Sequence, residues 1–140
     1  MDALHSVFLY AVIMCDPVAS VLIIESHPLM REALCAAIAS EPSLTVAAQL
    51  VTSAEAVPVA LALHPDLILI ALGNPGWDDL QTLSALRQAL PGVPILALIT
   101  GEVVNQAQAA LDIGASLVLT KEAQRSELLQ ALHAQSLKAH

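Results

Sequence analysis

Two charged side chains stand at the ends of apolar runs, where a fold could bring them together. Glu25 follows Val21-Leu22-Ile23-Ile24, and Lys121 follows Leu117-Val118-Leu119-Thr120. A carboxylate and an ammonium placed this way can pair with each other, or serve separately as a cation ligand and an anion binder. Glu25 is trailed by Ser26 and His27. Two further apolar runs end without charge, one on Ala71 and one on Ile99-Thr100. Other chemistry lacks its pattern. His5, His27, His64, His133 and His140 show no ligand spacing on one element. Cys15 and Cys35 form no metal or redox spacing, so reduced thiols are expected, with a Cys15–Cys35 disulfide as the lesser alternative. There is no Gly-rich phosphate loop and no Gly-x-Ser-x-Gly elbow. The chain is therefore expected not to be an enzyme.

The elements that must position these residues are legible from residue 20 onward, where strand-like and amphipathic helical runs alternate. Strands are predicted at 20–25, 44–50, 66–72, 94–99 and 116–120. Helices are predicted at 28–40, 52–63, 78–90, 102–113 and 125–137. Pro28 suits the first turn of the first helix, whose buried face reads Met30, Ala33, Leu34, Ala37 and Ile38. Thr52-Ser53-Ala54-Glu55 reads as a capping box for the second. Leu80, Leu83, Leu86 and Leu90 stripe the third, and Gly114 reads as a left-handed cap after the fourth. Leu128, Leu129 and Leu132 mark the last. Five βα units imply a parallel sheet covered by helices on both faces. The expected fold is α/β, a flavodoxin-like (βα)5 three-layer sandwich with strand order 2-1-3-4-5. Ligands on such sheets bind at the carboxyl ends of the strands, and Glu25-Ser26, Ala71, Ile99-Thr100 and Thr120-Lys121 all lie there.

Size and composition agree with one such domain. The chain has 140 residues, 56% of them hydrophobic and 2% aromatic, so its core must be aliphatic. The net charge is −8 with five Lys and Arg, which argues against direct contact with nucleic acid. Residues 3–15 are strongly apolar but too short to span a bilayer, and they lack the basic start of a signal peptide. No membrane association is expected, and the cytoplasm is the expected compartment.

The stretch 21–34, Val-Leu-Ile-Ile-Glu-Ser-His-Pro-Leu-Met-Arg-Glu-Ala-Leu, together with Pro65-Asp66-Leu67-Ile68-Leu69-Ile70-Ala71-Leu72 and Lys121, resembles the CheY-like receiver domain of two-component response regulators. The resemblance is nearest to receivers that precede a LuxR-type helix-turn-helix, and it covers residues 20 to 137. It implies an aspartate phosphoacceptor where this chain has Ala71. It also implies two adjacent acidic residues after the first strand, where this chain has Glu25 and Ser26. The hydroxyl position at the end of the fourth strand falls on Ile99, with Thr100 one residue away on the opposite face. The switch aromatic falls on Val118. Lys121 alone matches fully. Without a second carboxylate, Mg²⁺ binding is not expected, and Glu25 is the only weak candidate ligand. For Lys121 the leading reading is a pair with Glu25; the alternatives are an anion or phosphorylated partner, or a solvated side chain. Asp66 reads as a turn or cap residue, and Asp78 and Asp79 as caps of the third helix.

The expectation is thus a degenerate receiver acting independently of phosphorylation as an interaction module in signalling or transcription control. The resemblance implies that a protein partner or a second copy meets the face built by the fourth helix, fifth strand and fifth helix. Candidate contacts there are Val104, Gln108, Leu117, Val118, Ser126 and Gln130. The alternatives are the receiver part of a longer DNA-binding regulator, or a sensor of a small anion in the pocket left by Ala71 and Ser26. Residues 1–19 read as an apolar extension with two readings open: a segment that is disordered or not part of the native start, or one that packs on the domain or on a second copy.

Overall fold

A computed structural model describes residues 18–72, 77–99 and 104–139. Its five strands are β1 (Ala19–Ile24), β2 (Leu44–Leu50), β3 (Leu67–Ala71), β4 (Ile95–Ile99) and β5 (Leu117–Thr120). They form one parallel sheet in the order β2-β1-β3-β4-β5, as expected. The helices are α1 (Pro28–Ala39), α2 (Ala56–Leu63), α3 (Trp77–Ala89), α4 (Val104–Ile113) and α5 (Arg125–Ala139). Residues 1–17, which include nearly all of the apolar extension, lie outside the described residues. β1 begins at Ala19, one residue inside that stretch, and Ala19 is buried.

Alternation along each strand divides the core in two. Leu22, Ile24, Ile68, Ile70, Ile95, Ala97 and Ile99 point to one face, where they pack with Ala56 and Ala60 of α2, Leu83 and Leu86 of α3 and Ala110 of α4. Val21, Ile23, Leu67, Leu69, Leu96 and Leu98 point to the other, against Leu34 and Ile38 of α1 and Leu128 and Leu132 of α5. Both layers are aliphatic, as a chain with so few aromatics requires.

Three local devices fix the register that matters at the carboxyl edge. At the opposite edge, Asp66 and Ser20 clamp β1 to β3. The Ser20 N–H donates to Asp66 Oδ2 at 2.8 Å, and the Asp66 N–H lies 3.1 Å from Ser20 Oγ and 2.9 Å from its carbonyl. Asp66, expected as a turn or cap residue, instead bonds across to β1 from the bend that precedes β3. From that clamp β1 and β3 run in step to Ile24 opposite Ile70, which sets Glu25 level with Ala71.

Arg87, near the end of α3, is the second device. Its Nε donates to the Gly114 carbonyl at 2.9 Å, its Nη1 reaches the carbonyls of Leu90, Pro91 and Val93, and its Nη2 meets Ser116 Oγ at 3.2 Å. One guanidinium therefore ties the end of α3, the entry to β4 and the α4–β5 turn. Partial burial lowers its pKa from the ordinary value.

Gly114 is the third. Its φ is +148°, and a Cβ there would stand 2.7 and 2.8 Å from Cγ and Cβ of Arg87. Only glycine meets both the dihedral and the space.

Two details differ from expectation. Thr52 makes no side-chain cap bond; Ser53–Glu55 form a 3₁₀ turn, and α2 starts after it at Ala56. The tighter turn displaces the spacing that a capping box needs. Ala33 is exposed rather than buried on the α1 stripe, because α1 meets the sheet through Leu34, Ala37 and Ile38 and leaves Ala33 facing a groove. The turn after α2 also carries a residue that composition did not flag. His64 adopts the left-handed conformation (φ 49°) and donates its N–H to the Ala60 carbonyl.

Candidate functional site

The carboxyl ends of β1, β3, β4 and β5 bring three of the sequence candidates to one edge. Glu25, next after β1, is only 1% exposed. Its Oε1 accepts the His27 N–H at 3.0 Å, and the His27 imidazole Nδ1 lies 3.5 Å from the same oxygen. Its main-chain carbonyl accepts from Arg31 Nη1 at 3.2 Å. Oε2 is buried and has no hydrogen-bond partner, and Lys121 Nζ stands 3.9 Å from it. Lys121 is itself 15% exposed, so the pair is largely withdrawn from water.

That pair crosses the sheet edge. β3 and β4 lie between β1 and β5, so the two backbones are about 14 Å apart at roughly 4.8 Å per strand spacing. Two long side chains must lean toward each other to meet. Register places Ala71 level with Glu25 and on the same sheet face, and a methyl at that point leaves the path clear. The β4–β5 register and the bond from the Lys121 N–H to the Ile99 carbonyl at 2.7 Å hold Lys121 at the far end.

Ser26 and Ile99 do not join this pair. Ser26 is exposed. Ile99 is 4% exposed and packs into the face covered by α2, α3 and α4, away from the row of Ala71. Thr100 lies outside the described residues, as do the side chains of Asp78 and Asp79. His27 occupies the N-cap position of α1 through its backbone, and its side chain makes no cap bond. On the expected interaction face, Gln108, Ser126 and Gln130 are exposed, and Gln108 donates to Asp112 Oδ1 at 2.8 Å. Leu117 and Val118 are half-buried, packing against opposite core layers. The side chain of Val104 is outside the described residues. Arg31 was not singled out from sequence; its position four residues after the His-Pro step was the available signal.

Among the described residues, a divalent cation would find few donors at this edge. Glu25 offers one free oxygen, already faced by an ammonium, and Ala71 offers no side-chain oxygen. Mg²⁺ demands near-octahedral oxygen coordination, and this donor set does not fit it. Among the described residues, no group of three His, Cys, Asp or Glu gathers for a metal. Cys35, half-buried on α1, is a free thiol; burial pushes its pKa up, with Arg31 pulling the other way.

A family model described as the response regulator receiver domain matches residues 21–133. The chain belongs to the response regulator receiver family. This receiver domain is 32% identical over 115 residues to the nitrate/nitrite response regulator protein NarL of Escherichia coli (strain K12), an alignment covering 82% of this chain and 53% of that protein. The transcriptional regulatory protein LiaR of Bacillus subtilis (strain 168) is 27% identical over 116 residues, with 83% and 55% covered. Of solved structures, a LuxR-family two-component response regulator from Aurantimonas sp. SI85-9A1 superposes with a TM-score of 0.79 at 27% identity, covering 86% of each chain. The signal receiver domain of NarL from Mycobacterium tuberculosis gives the same TM-score at 26% identity, covering 86% of this chain and 98% of that one. The receiver spans about half the length of these curated relatives. No helix among the described residues is long and apolar enough to cross a membrane.

Proposed function

We propose that this receiver domain has lost phosphoryl transfer and serves as a phosphorylation-independent interaction module in two-component signalling or transcription control. The observation that carries the reading is the end of β3. A methyl group stands at Ala71, level with the buried Glu25, and the Glu25–Lys121 pair spans the edge where a phosphoryl group and its metal would have to sit. Ala71 has no atom that can accept a phosphoryl group. Among the described residues Mg²⁺ has no second carboxylate at this edge, so no cofactor is assigned. The chain carries out no catalysis of its own, works in the cytoplasm, and contacts neither membrane nor nucleic acid directly. Its net charge of −8 favours the last point. The partner, a protein or a second copy, meets the α4–β5–α5 face through Val104, Gln108, Leu117, Val118, Ser126 and Gln130.

A second reading extends the first: this receiver is the regulatory part of a longer DNA-binding regulator. It is favoured by the coverage of its relatives, of which the chain matches about half. A small anion beside Ala71 and Lys121 is a weaker variant, since Glu25 already faces the ammonium.

Incubation with acetyl phosphate and Mg²⁺, read by intact mass, tests the proposal. No mass gain of one phosphoryl group is expected, and Ala71→Asp alone is expected not to restore one, because Ser26 still supplies no carboxylate. Stoichiometric phosphorylation of the unaltered chain would overturn it.

A further inference from the structure

We infer that the groove between α1 and α5 binds a small amphipathic carboxylate, an apolar chain or ring ending in one anionic group. The groove encloses about 360 Å³, toward the lower end of the roughly 300–1,000 Å³ typical of small-ligand clefts. Its buried members are aliphatic: Leu34 and Ala37 of α1, Leu98 of β4 and Leu128 of α5. Ala33 and Ala36 keep it open, since both are exposed on α1 and neither side chain is long enough to fill the space.

Charge at the opening decides the class of ligand. The chain has 13 acidic residues and five basic ones, yet two of the five, Lys121 and Arg125, line this groove, and no carboxylate stands among its described lining residues. Thr120 adds a hydroxyl. Lys121 leans to Glu25, which leaves Arg125 as the principal cation. Arg125 is exposed and gives one N–H to Ser40 Oγ, while a guanidinium carries five donors, enough to receive a carboxylate as well. An apolar body would take the aliphatic depth and the anion would meet Arg125. This groove adjoins the Ala71 edge and shares Lys121 with it, but it does not rest on the function proposed above.

The test is an amide-resolved NMR titration of the full chain with sodium octanoate, kept below micelle formation, beside octanol and acetate. Saturable shifts at residues 33, 37, 98, 120 and 128 are expected with octanoate. Octanol and acetate should each bind at least about tenfold more weakly, one lacking the charge-assisted bond and the other the apolar body. Arg125→Gln should weaken octanoate about tenfold. Ala33→Leu, at an exposed position, should block it. Ser40→Ala, which removes the neighbouring hydroxyl and keeps the guanidinium, should leave it unchanged. Octanol binding as well as octanoate, shifts elsewhere on the surface, or no saturable shift would each overturn the assignment.

Discussion

A carboxylate oxygen buried without a hydrogen bond, as Glu25 Oε2 is, has given up water and gained only an ammonium 3.9 Å away. Removing that ammonium leaves the charge uncompensated. Lys121→Met should therefore destabilise the fold by about 1–3 kcal/mol, below the range for fully buried pairs because Lys121 keeps some exposure. Urea unfolding of Lys121→Met, Glu25→Gln and the double variant measures it. The double variant should lose clearly less than the sum of the two single losses, and strict additivity would show the pair to be uncoupled. Cys35 offers a second test at this scale. Its pKa is raised by burial, so at neutral pH less of it is thiolate than in the unfolded chain, and in a Cys15→Ser background its alkylation should be slower folded than in urea. A folded pKa above the unfolded one also gives Cys35 a stabilising contribution that is full below the unfolded pKa and fades as pH rises through the folded one. At this scale the sequence was half legible. Glu25, Ala71 and Lys121 could be read because each ends an apolar run. The N–H of His27 on Oε1 and the Arg31 bond to the Glu25 carbonyl depend on turn geometry, which no local pattern encodes, and the place of Ile99 in the opposite core layer depends on the register of β4 against β3.

Elements are joined here by side chains reaching carbonyls at their ends. Arg87 reaches four carbonyls and one hydroxyl across the α3–β4 and α4–β5 connections, so Arg87→Ala should cost about 2–4 kcal/mol, and Arg87→Lys should recover little because an ammonium cannot fork across them. Gly114→Ala should be destabilising as well, since its Cβ would press on Arg87 from a positive φ. Thermal melts rank the three; an Arg87→Ala protein as stable as the unaltered one would contradict this account of the α3–β4–α4 end. Helix and strand positions were readable to within about two residues where apolar periodicity was strong. The start of α2 was not, because Ser53–Glu55 wind into a 3₁₀ turn and Thr52 leaves its capping role unfilled. Nor was the Arg87 hub, since its acceptors lie as far as 29 residues away.

For the whole molecule, five alternating βα units make a parallel sheet covered on both faces legible, while the order 2-1-3-4-5 is one of the doubly wound arrangements they allow and the one the receiver resemblance implies. The division of the core into two aliphatic layers also follows, because strands buried on both faces need apolar residues at every position. The groove between α1 and α5 does not, as it depends on how far apart two helices settle. What the molecule does with its carboxyl edge turns on whether that edge still responds to a phosphoryl mimic. An amide-resolved NMR titration with Mg²⁺ and then beryllofluoride decides this most directly. The account predicts no saturable shifts at Glu25, Ala71 or Lys121 and none propagating to α4. Shifts converging on those three residues and spreading through α4 and β5 would contradict it and show that the phosphorylation switch survives.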